Sequence, residues 1–259
     1  MIKSSDQPTK PLAAIILAAG KGTRMDSDLP KVLHEVAGKP MVQWVVDAVR
    51  SAGADRVVLV VGHGSKQVQE AIPGVEYVLQ EPQLGTGHAV LVSKETLADF
   101  EGNIVVLGGD GPLLRPSTID EMIELQENEE ATATLATSTI PDPTGYGRIV
   151  RDDQNKFIAI VEQKNATPEQ LEIHEVYPSY AVFESVALWA TLDELQPNAL
   201  TNEYYFTEVP QMLLNKGLKV ELINSVAPED ILSINTPQQR TDVENVLLER
   251  LQNEMEPTV

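Results

Sequence analysis

The sequence predicts an α/β fold with a mostly parallel central sheet and an antiparallel insertion in its second half. Three observations lead there. Apolar runs of strand length alternate with helix-like stretches through the N-terminal half, the pattern of a parallel sheet covered on both faces. Past Ala131 strand-like runs instead follow one another without helices between them. The length of 259 residues suits one large α/β domain, or a domain with a small appendage.

Taken in order, Met1 to Pro11 is polar and turn-rich, and reads as a disordered lead over 1–11. It lacks the apolar core and small-residue cleavage site of a secretory signal, so a cytoplasmic protein is expected. Ala13–Ala18 is a strand ending at Gly20; Met41–Ala52 has helical spacing, and Arg56–Gly62 is a β-branched strand. Lys66–Ala71 reads as helix, Glu76–Leu79 as strand, His88–Ala98 as helix, Asn103–Gly108 as a buried strand, and Pro116 to about Glu130 as helix. The expected insertion holds strands at Thr132–Thr139, Arg148–Arg151, Phe157–Val161 and Val176–Glu184. Helices return near Ser185–Leu195 and Thr207–Lys216, with a strand at Lys219–Asn224. A polar helix follows from Thr236, with Pro237 in its first turn. The expected division is thus a lead (1–11), a main domain (12–235) and a C-terminal helix with its tail (236–259).

Composition narrows the function. A formal charge of −20 leaves no excess of cations to neutralise a nucleic acid or an anionic membrane, so neither is expected as a partner. A small phosphorylated substrate needs only a few local cations. No apolar run reaches the roughly 18–20 residues that span a bilayer. The absence of cysteine excludes disulfides, thiolate metal sites and cysteine nucleophiles. The four histidines are scattered without metal-ligand spacing and are given no role.

Three motifs follow predicted strands. The first is LAAGKGTRM, Leu17 to Met25, continued by LPK ending at Lys31. Its glycines let backbone N–H groups approach a triphosphate, and Lys21, Arg24 and Lys31 supply charge. It is neither the dinucleotide fingerprint, since Met25 stands at the third glycine position, nor a Walker A loop. A tight strand–helix turn would account for Gly20 and Gly22, but not for three cations in eleven residues. The second is QEPQLGTGHA, Gln80 to Ala89. The Gln80 amide offers a donor beside an acceptor, matching the N3–H and O4 edge of uracil, although rotation would suit cytosine. Gly85 allows close backbone approach and Thr86 adds a hydroxyl. The third is GGDGPLL, Gly108 to Leu114. A carboxylate at the end of a parallel strand suits Mg²⁺, which takes one or two protein oxygens and fills the rest with phosphates and water. A helix-capping role for Asp110 is the alternative, weakened by the distance to the next helical run. GYGRI (145–149), VEQK (161–164), NEYYFTE (202–208) and SIN (233–235) offer hydroxyls, a carboxylate and a carboxamide of the kinds that grip sugars.

The three motifs, with GYGRI, resemble the bacterial N-acetylglucosamine-1-phosphate uridylyltransferases of the sugar nucleotidyltransferase superfamily, from about Leu12 to Asn235. The resemblance implies a Rossmann-like nucleotidyltransferase fold. It puts Leu17, Ala18, Ala19 and Gly20 at the nucleotide, with Gln80, Gly85 and Thr86 at the uracil. Arg24 and Lys31 would contact phosphates as the catalytic cations, and Asp110 with Asn235 would hold Mg²⁺. Gly147 and Glu162 fall on sugar positions, with Lys164, Tyr177, Glu203, Tyr205 and Thr207 nearby. The implied substrates are UTP and a sugar 1-phosphate, with no obligate protein partner.

Three departures stand out. The family's Asn-Thr-Gly in the strand lining the sugar pocket is Tyr177-Pro178-Ser179 here, and its Asp after the Tyr-Tyr-x-Thr run is Glu208. Bifunctional members continue into a β-helix of hexapeptide repeats with acetyltransferase activity. No such repeat occurs before Val259, so the transferase half alone is expected. The expected reaction is in-line attack of a sugar phosphate oxygen on Pα of UTP. The nucleophile is already anionic and needs no base, so positioning and charge neutralisation carry catalysis. The alternatives are the same chemistry with another sugar or base, and a non-catalytic nucleotide-sugar sensor. A sensor could shed Asp110, Asn235 or Lys31, and all three are present.

Overall fold

The computed structural model describes residues 10–199 and 201–255. Most of the expected lead, 1–9, and the tail residues 256–259 lie outside the described residues. The chain opens with β1 (Leu12–Ala18), a small hairpin of β2 (Glu35–Val36) and β3 (Lys39–Pro40), and α1 (Met41–Ser51). Then come β4 (Arg56–Val61), α2 (Ser65–Ala71), β5 (Glu76–Leu79), α3 (Thr86–Leu91), β6 (Asn103–Gly108) and α4 (Pro116–Asn128). The second half holds β7 (Ala133–Ala136), β8 (Ser138–Thr139), β9 (Gly147–Arg151), β10 (Phe157–Val161), α5 (Pro168–Leu171), β11 (Glu175–Tyr177) and β12 (Tyr180–Glu184). It closes with α6 (Ser185–Leu192), α7 (Val209–Asn215), β13 (Val220–Ile223) and α8 (Pro237–Met255).

The central sheet has seven strands in the order β13-β7-β12-β6-β1-β4-β5. Its neighbours pair in parallel except at β12, which runs antiparallel to both β6 and β7. Alternation along β1 sends Ala14, Ile16 and Ala18 to one core and Ala13 and Ile15 to the other. The first core packs under α1, α4 and α8, and the second under α3, α6 and α7. Both faces of the sheet are therefore covered, which is why its strands read as unbroken apolar runs.

The expected antiparallel insertion is a second sheet, in the order β10-β9-β11-β8. Two strands assigned to it need correction. Thr132–Thr139 and Val176–Glu184 are each two strands, and each segment crosses between the sheets. Ala133–Ala136 and Tyr180–Glu184 belong to the central sheet, while Ser138–Thr139 and Glu175–Tyr177 belong to the second. One crossing is made at Thr137, whose N–H donates to the Ile223 carbonyl. The other is made at Ser179, in the left-handed region at φ +67°. Helix α3 also differs from its expectation: it begins at Thr86, straight after Gly85, and gives way to turns beyond Leu91.

Candidate active site

The three motifs occupy the carboxyl ends of β1, β5 and β6, the side on which open α/β sheets bind ligands. They enclose a cleft of about 520 Å³. All of Leu17, Ala18, Ala19, Gly20, Arg24, Lys31, Gln80, Gly85, Thr86, Asp110 and Asn235 line it, so the nucleotide, phosphate and metal candidates of the sequence share one space. Lys21 is exposed and outside the lining. Gly22 of the first motif lines it too, and so do Thr23, Val32, Gln83, Ala89, Gly108 and Ser179, to which the sequence gives no site role.

The cationic end is built by two short 3₁₀ turns, Thr23–Met25 and Lys31–Leu33. Buried Met25, Val32 and Leu33 anchor them, which leaves Arg24 and Lys31 for the cleft. Gly22 has φ +61°, and a Cβ there would come within 2.5 Å of the Lys31 Cβ; glycine both permits the turn and makes room for the lysine stem. Lys31 Nζ donates to Asp110 Oδ2 at 2.5 Å and to Asn235 Oδ1 at 2.8 Å, and Arg24 donates to the same Asn235 oxygen at 2.9 Å. Backbone bonds hold the two oxygen-bearing loops: Gly109 N–H donates to the Leu17 carbonyl, and Ile234 N–H to that of Asp110. The Asn235 N–H is held by Gln239 of α8.

The other end is lined by carboxamides. Gln80 is 5% exposed. Its Nε2 donates to the Gly85 carbonyl at 2.9 Å and lies 3.1 Å from His88 Nδ1. Burial lowers the His88 pKa. Gln83 donates to the Ala19 carbonyl and so ties the second motif to the first. The 202–208 segment is stitched to the same loop, through Tyr204 N–H to Leu84 O, Gly87 N–H to Tyr204 O, and Phe206 N–H to the Thr86 hydroxyl. Gly85, at φ +100°, lies where a Cβ would be 2.6 Å from the Tyr204 carbonyl.

A second pocket of about 380 Å³ opens beside the first and shares Arg24, Asp110, Ser179 and Asn235 with it. Gly147, Glu162, Tyr177 and Thr207 line it, together with Tyr146, Ser233 and Gln239. The Thr207 hydroxyl donates to Glu162 at 3.1 Å. Three sugar candidates fall elsewhere. Glu203 lines the first cleft and pairs with Lys164 at 2.9 Å. Lys164 lines neither pocket and lies over the Tyr205 ring, 4.5 Å from its centroid. Tyr205 lines a smaller hollow behind Glu162. Tyr177 is 3% exposed and packs in the second core, its pKa raised by burial and then by the Glu162 charge. Tyr177 thus belongs mainly to the core, although it also lines this pocket.

Among the described residues no group of three or more His, Cys, Asp or Glu could hold a metal, and no helix is long and apolar enough to cross a membrane.

Residues 14–196 match the MobA-like NTP transferase domain. The bifunctional protein GlmU of Halalkalibacterium halodurans is 46% identical over 239 residues, which cover 92% of this chain and 52% of that protein. That of Alkaliphilus metalliredigens is 42% identical over 241 residues, 93% of this chain and 53% of that protein. The chain spans about half the length of these curated relatives. A solved UDP-glucose pyrophosphorylase, complexed with UDP-glucose, superimposes with a TM-score of 0.75 at 17% identity, over 93% of this chain and 99% of its own.

Proposed function

The chain belongs to the family of MobA-like NTP transferase domains, and from that premise we propose that it transfers a uridylyl group from UTP to a sugar 1-phosphate, releasing pyrophosphate. N-acetylglucosamine 1-phosphate is the proposed acceptor, following the resemblance carried by the motifs. One observation carries the reading: two pockets meet at Arg24, Asp110, Ser179 and Asn235. A nucleotide in the larger and a sugar phosphate in the smaller would bring their phosphates together at that junction.

In the proposed reaction an oxygen of the sugar phosphate attacks Pα in line, and the bond from Pα to the pyrophosphate oxygen breaks. Lys31 and Arg24 donate to phosphate oxygens, where fixed cations count most as charge develops. Glu162 and Thr207 would accept hydrogen bonds from sugar hydroxyls, the Thr207 proton being given to Glu162. Holding both substrates makes the encounter effectively unimolecular.

Magnesium fits this junction. The Asp110 carboxylate and the Asn235 carbonyl oxygen converge on one cation, the Lys31 ammonium, at 2.5 and 2.8 Å. Two hard oxygens are the usual protein share for Mg²⁺. The metal would supply charge neutralisation of the triphosphate.

Pyrophosphate release over a matrix of nucleoside triphosphates and sugar 1-phosphates, with and without Mg²⁺, tests the reading. UTP with N-acetylglucosamine 1-phosphate should be fastest, with loss of activity on chelation and in Asp110→Ala. Nucleotide-sugar binding without turnover of any pair would instead make the chain a sensor.

A further inference from the structure

We infer that His88, as a neutral imidazole, locks the Gln80 carboxamide with its carbonyl oxygen toward the cleft, and so makes the site select uridine over cytidine nucleotides. The inference rests on the reading that Gln80 meets the base. Supporting that reading, Asp110 follows β6 and Gln80 follows β5, with β1 and β4 between them. Three strand spacings of about 4.8 Å separate the ends of those strands by roughly 14 Å. The charges that suit phosphates and the carboxamide that suits a base therefore lie at opposite ends of the cleft.

A carboxamide can present either edge, so its orientation decides what it reads. Here the neighbours decide it. The Gly85 carbonyl, 2.9 Å away, can only accept, so the end of the amide facing it must be the –NH₂. That leaves the second amide hydrogen, which faces His88 Nδ1 at 3.1 Å. Nδ1 accepts it when the imidazole is neutral and carries its proton on Nε2. Burial, which disfavours the charged ring, supports that state. Both amide hydrogens are then committed inside the protein. The Gln80 Oε1 receives no hydrogen bond among the described residues, and Gln80 lines the cleft, so an acceptor is what a base would meet.

Uracil offers a donor at N3 and pairs with that acceptor; cytosine carries a lone pair there and opposes it. A site that leaves a polar group unpaired against the wrong substrate discriminates far more strongly than an apolar pocket. His88 touches no reacting atom in this scheme and is a positioning residue. Without it one amide hydrogen loses its partner, and Gln80 gains reason to turn its –NH₂ to the cleft.

The test is the ratio of kcat/KM for UTP to that for CTP, with one sugar phosphate, in the parent, His88→Leu, His88→Asn and Gln80→Ala. The parent should favour UTP strongly. His88→Leu should lower the ratio about tenfold or more at an unchanged melting temperature. His88→Asn, whose carboxamide oxygen can stand where Nδ1 does, should stay within about threefold of the parent. His88→Met replaces the leucine variant if that does not fold. A loss of folded protein scales both rates alike and leaves the ratio unmoved. An unchanged ratio in His88→Leu, with a collapsed one in Gln80→Ala, overturns the inference, because the Gly85 carbonyl alone then holds the amide. An unchanged ratio in Gln80→Ala overturns the base assignment beneath it.

Discussion

Lys31 shows how a single residue can be legible in type and illegible in partners. Its charge, three residues before His34 and close behind two glycines, stood out in an acidic chain. That its ammonium rests between Asp110 and Asn235, 79 and 204 positions away, is written in no local pattern. Its side chain is 15% exposed, so the contacts are sheltered from solvent screening. Lys31→Ala should lower kcat/KM by on the order of 10²–10³, the loss that follows removal of one preorganised donor in a water-excluded site. Steady-state kinetics at saturating Mg²⁺ would measure it, and a loss under tenfold would reduce Lys31 to a structural partner of Asp110. Tyr177 is the opposite case, since its identity was plain and its placement was not. Because its ring is almost wholly buried, Tyr177→Asn should cost about 3 kcal/mol or more of stability, as other aromatic truncations in cores do. Specificity must therefore be read as a ratio. The variant should raise kcat/KM for N-acetylglucosamine 1-phosphate relative to glucose 1-phosphate, through the carboxamide it adds to the pocket wall. A ratio unchanged from the parent would remove Tyr177 from the specificity determinants.

At the scale of elements, strands buried on both sides were readable and crossings between sheets were not. β6 falls where its apolar run puts it, and β1 and β4 differ by a residue at one end, because burial on both faces leaves an unbroken signal. β5 keeps its expected bounds although, as an edge strand, it is only half-buried. Thr132–Thr139 and Val176–Glu184 keep strand composition through the crossing, so nothing in their residues marks a change of sheet. The β2–β3 hairpin, two residues a side, is too short for any periodicity. Helix α8 was legible as a helix but not in its docking. Val243 and Leu247 are buried in the first core, and Arg250 reaches two loops at once. It donates to Asp230 Oδ1 at 2.5 Å and to the Leu113 carbonyl at 2.8 Å. Leu113 follows Asp110 in one loop, and Asp230 precedes Asn235 in the other. The Asp230 carboxylate is buried and also takes Arg115, which is itself partly exposed. Breaking a buried pair from one side costs about 3–5 kcal/mol, since the remaining charge stays desolvated. Arg250→Met should therefore lower the melting temperature by on the order of 10 °C. It should also raise the Mg²⁺ concentration for half-maximal activity, as the loops bearing Asp110 and Asn235 lose a common tether. Calorimetry and a metal titration separate the two effects, and an unmoved titration would confine Arg250 to stability.

For the molecule as a whole, the layered α/β plan follows from a chain long enough to cover a sheet twice, and the second sheet was foreseen as an antiparallel insertion. What joins the two sheets was not, because it depends on pairings made across the fold. Glu175 stands at that junction. It takes two hydrogen bonds from Arg151 of β9, at 2.8 and 2.7 Å, and one from Thr137, at the crossing between β7 and β8. Burial by itself would raise its pKa, but the hydrogen bonds from Arg151 and Thr137 outweigh burial, and the net shift is downward. A carboxyl group with a folded pKa below its unfolded value binds fewer protons in the folded state. Its stabilisation is complete above the unfolded value, about 4.3, and is lost as pH falls through the folded one. Acid should thus loosen the joint between the sheets. The other carboxylates of a chain with charge −20 titrate over the same range and obscure this in the parent alone. A comparison with Glu175→Gln cancels their contribution, because they are common to both proteins. The parent should melt above the variant at pH 7, and the gap should narrow steadily as pH falls below about 4.3. Thermal unfolding at intervals from neutral to acid pH measures the gap, and one that stayed constant throughout would mean that the Glu175 charge does not hold the sheets together.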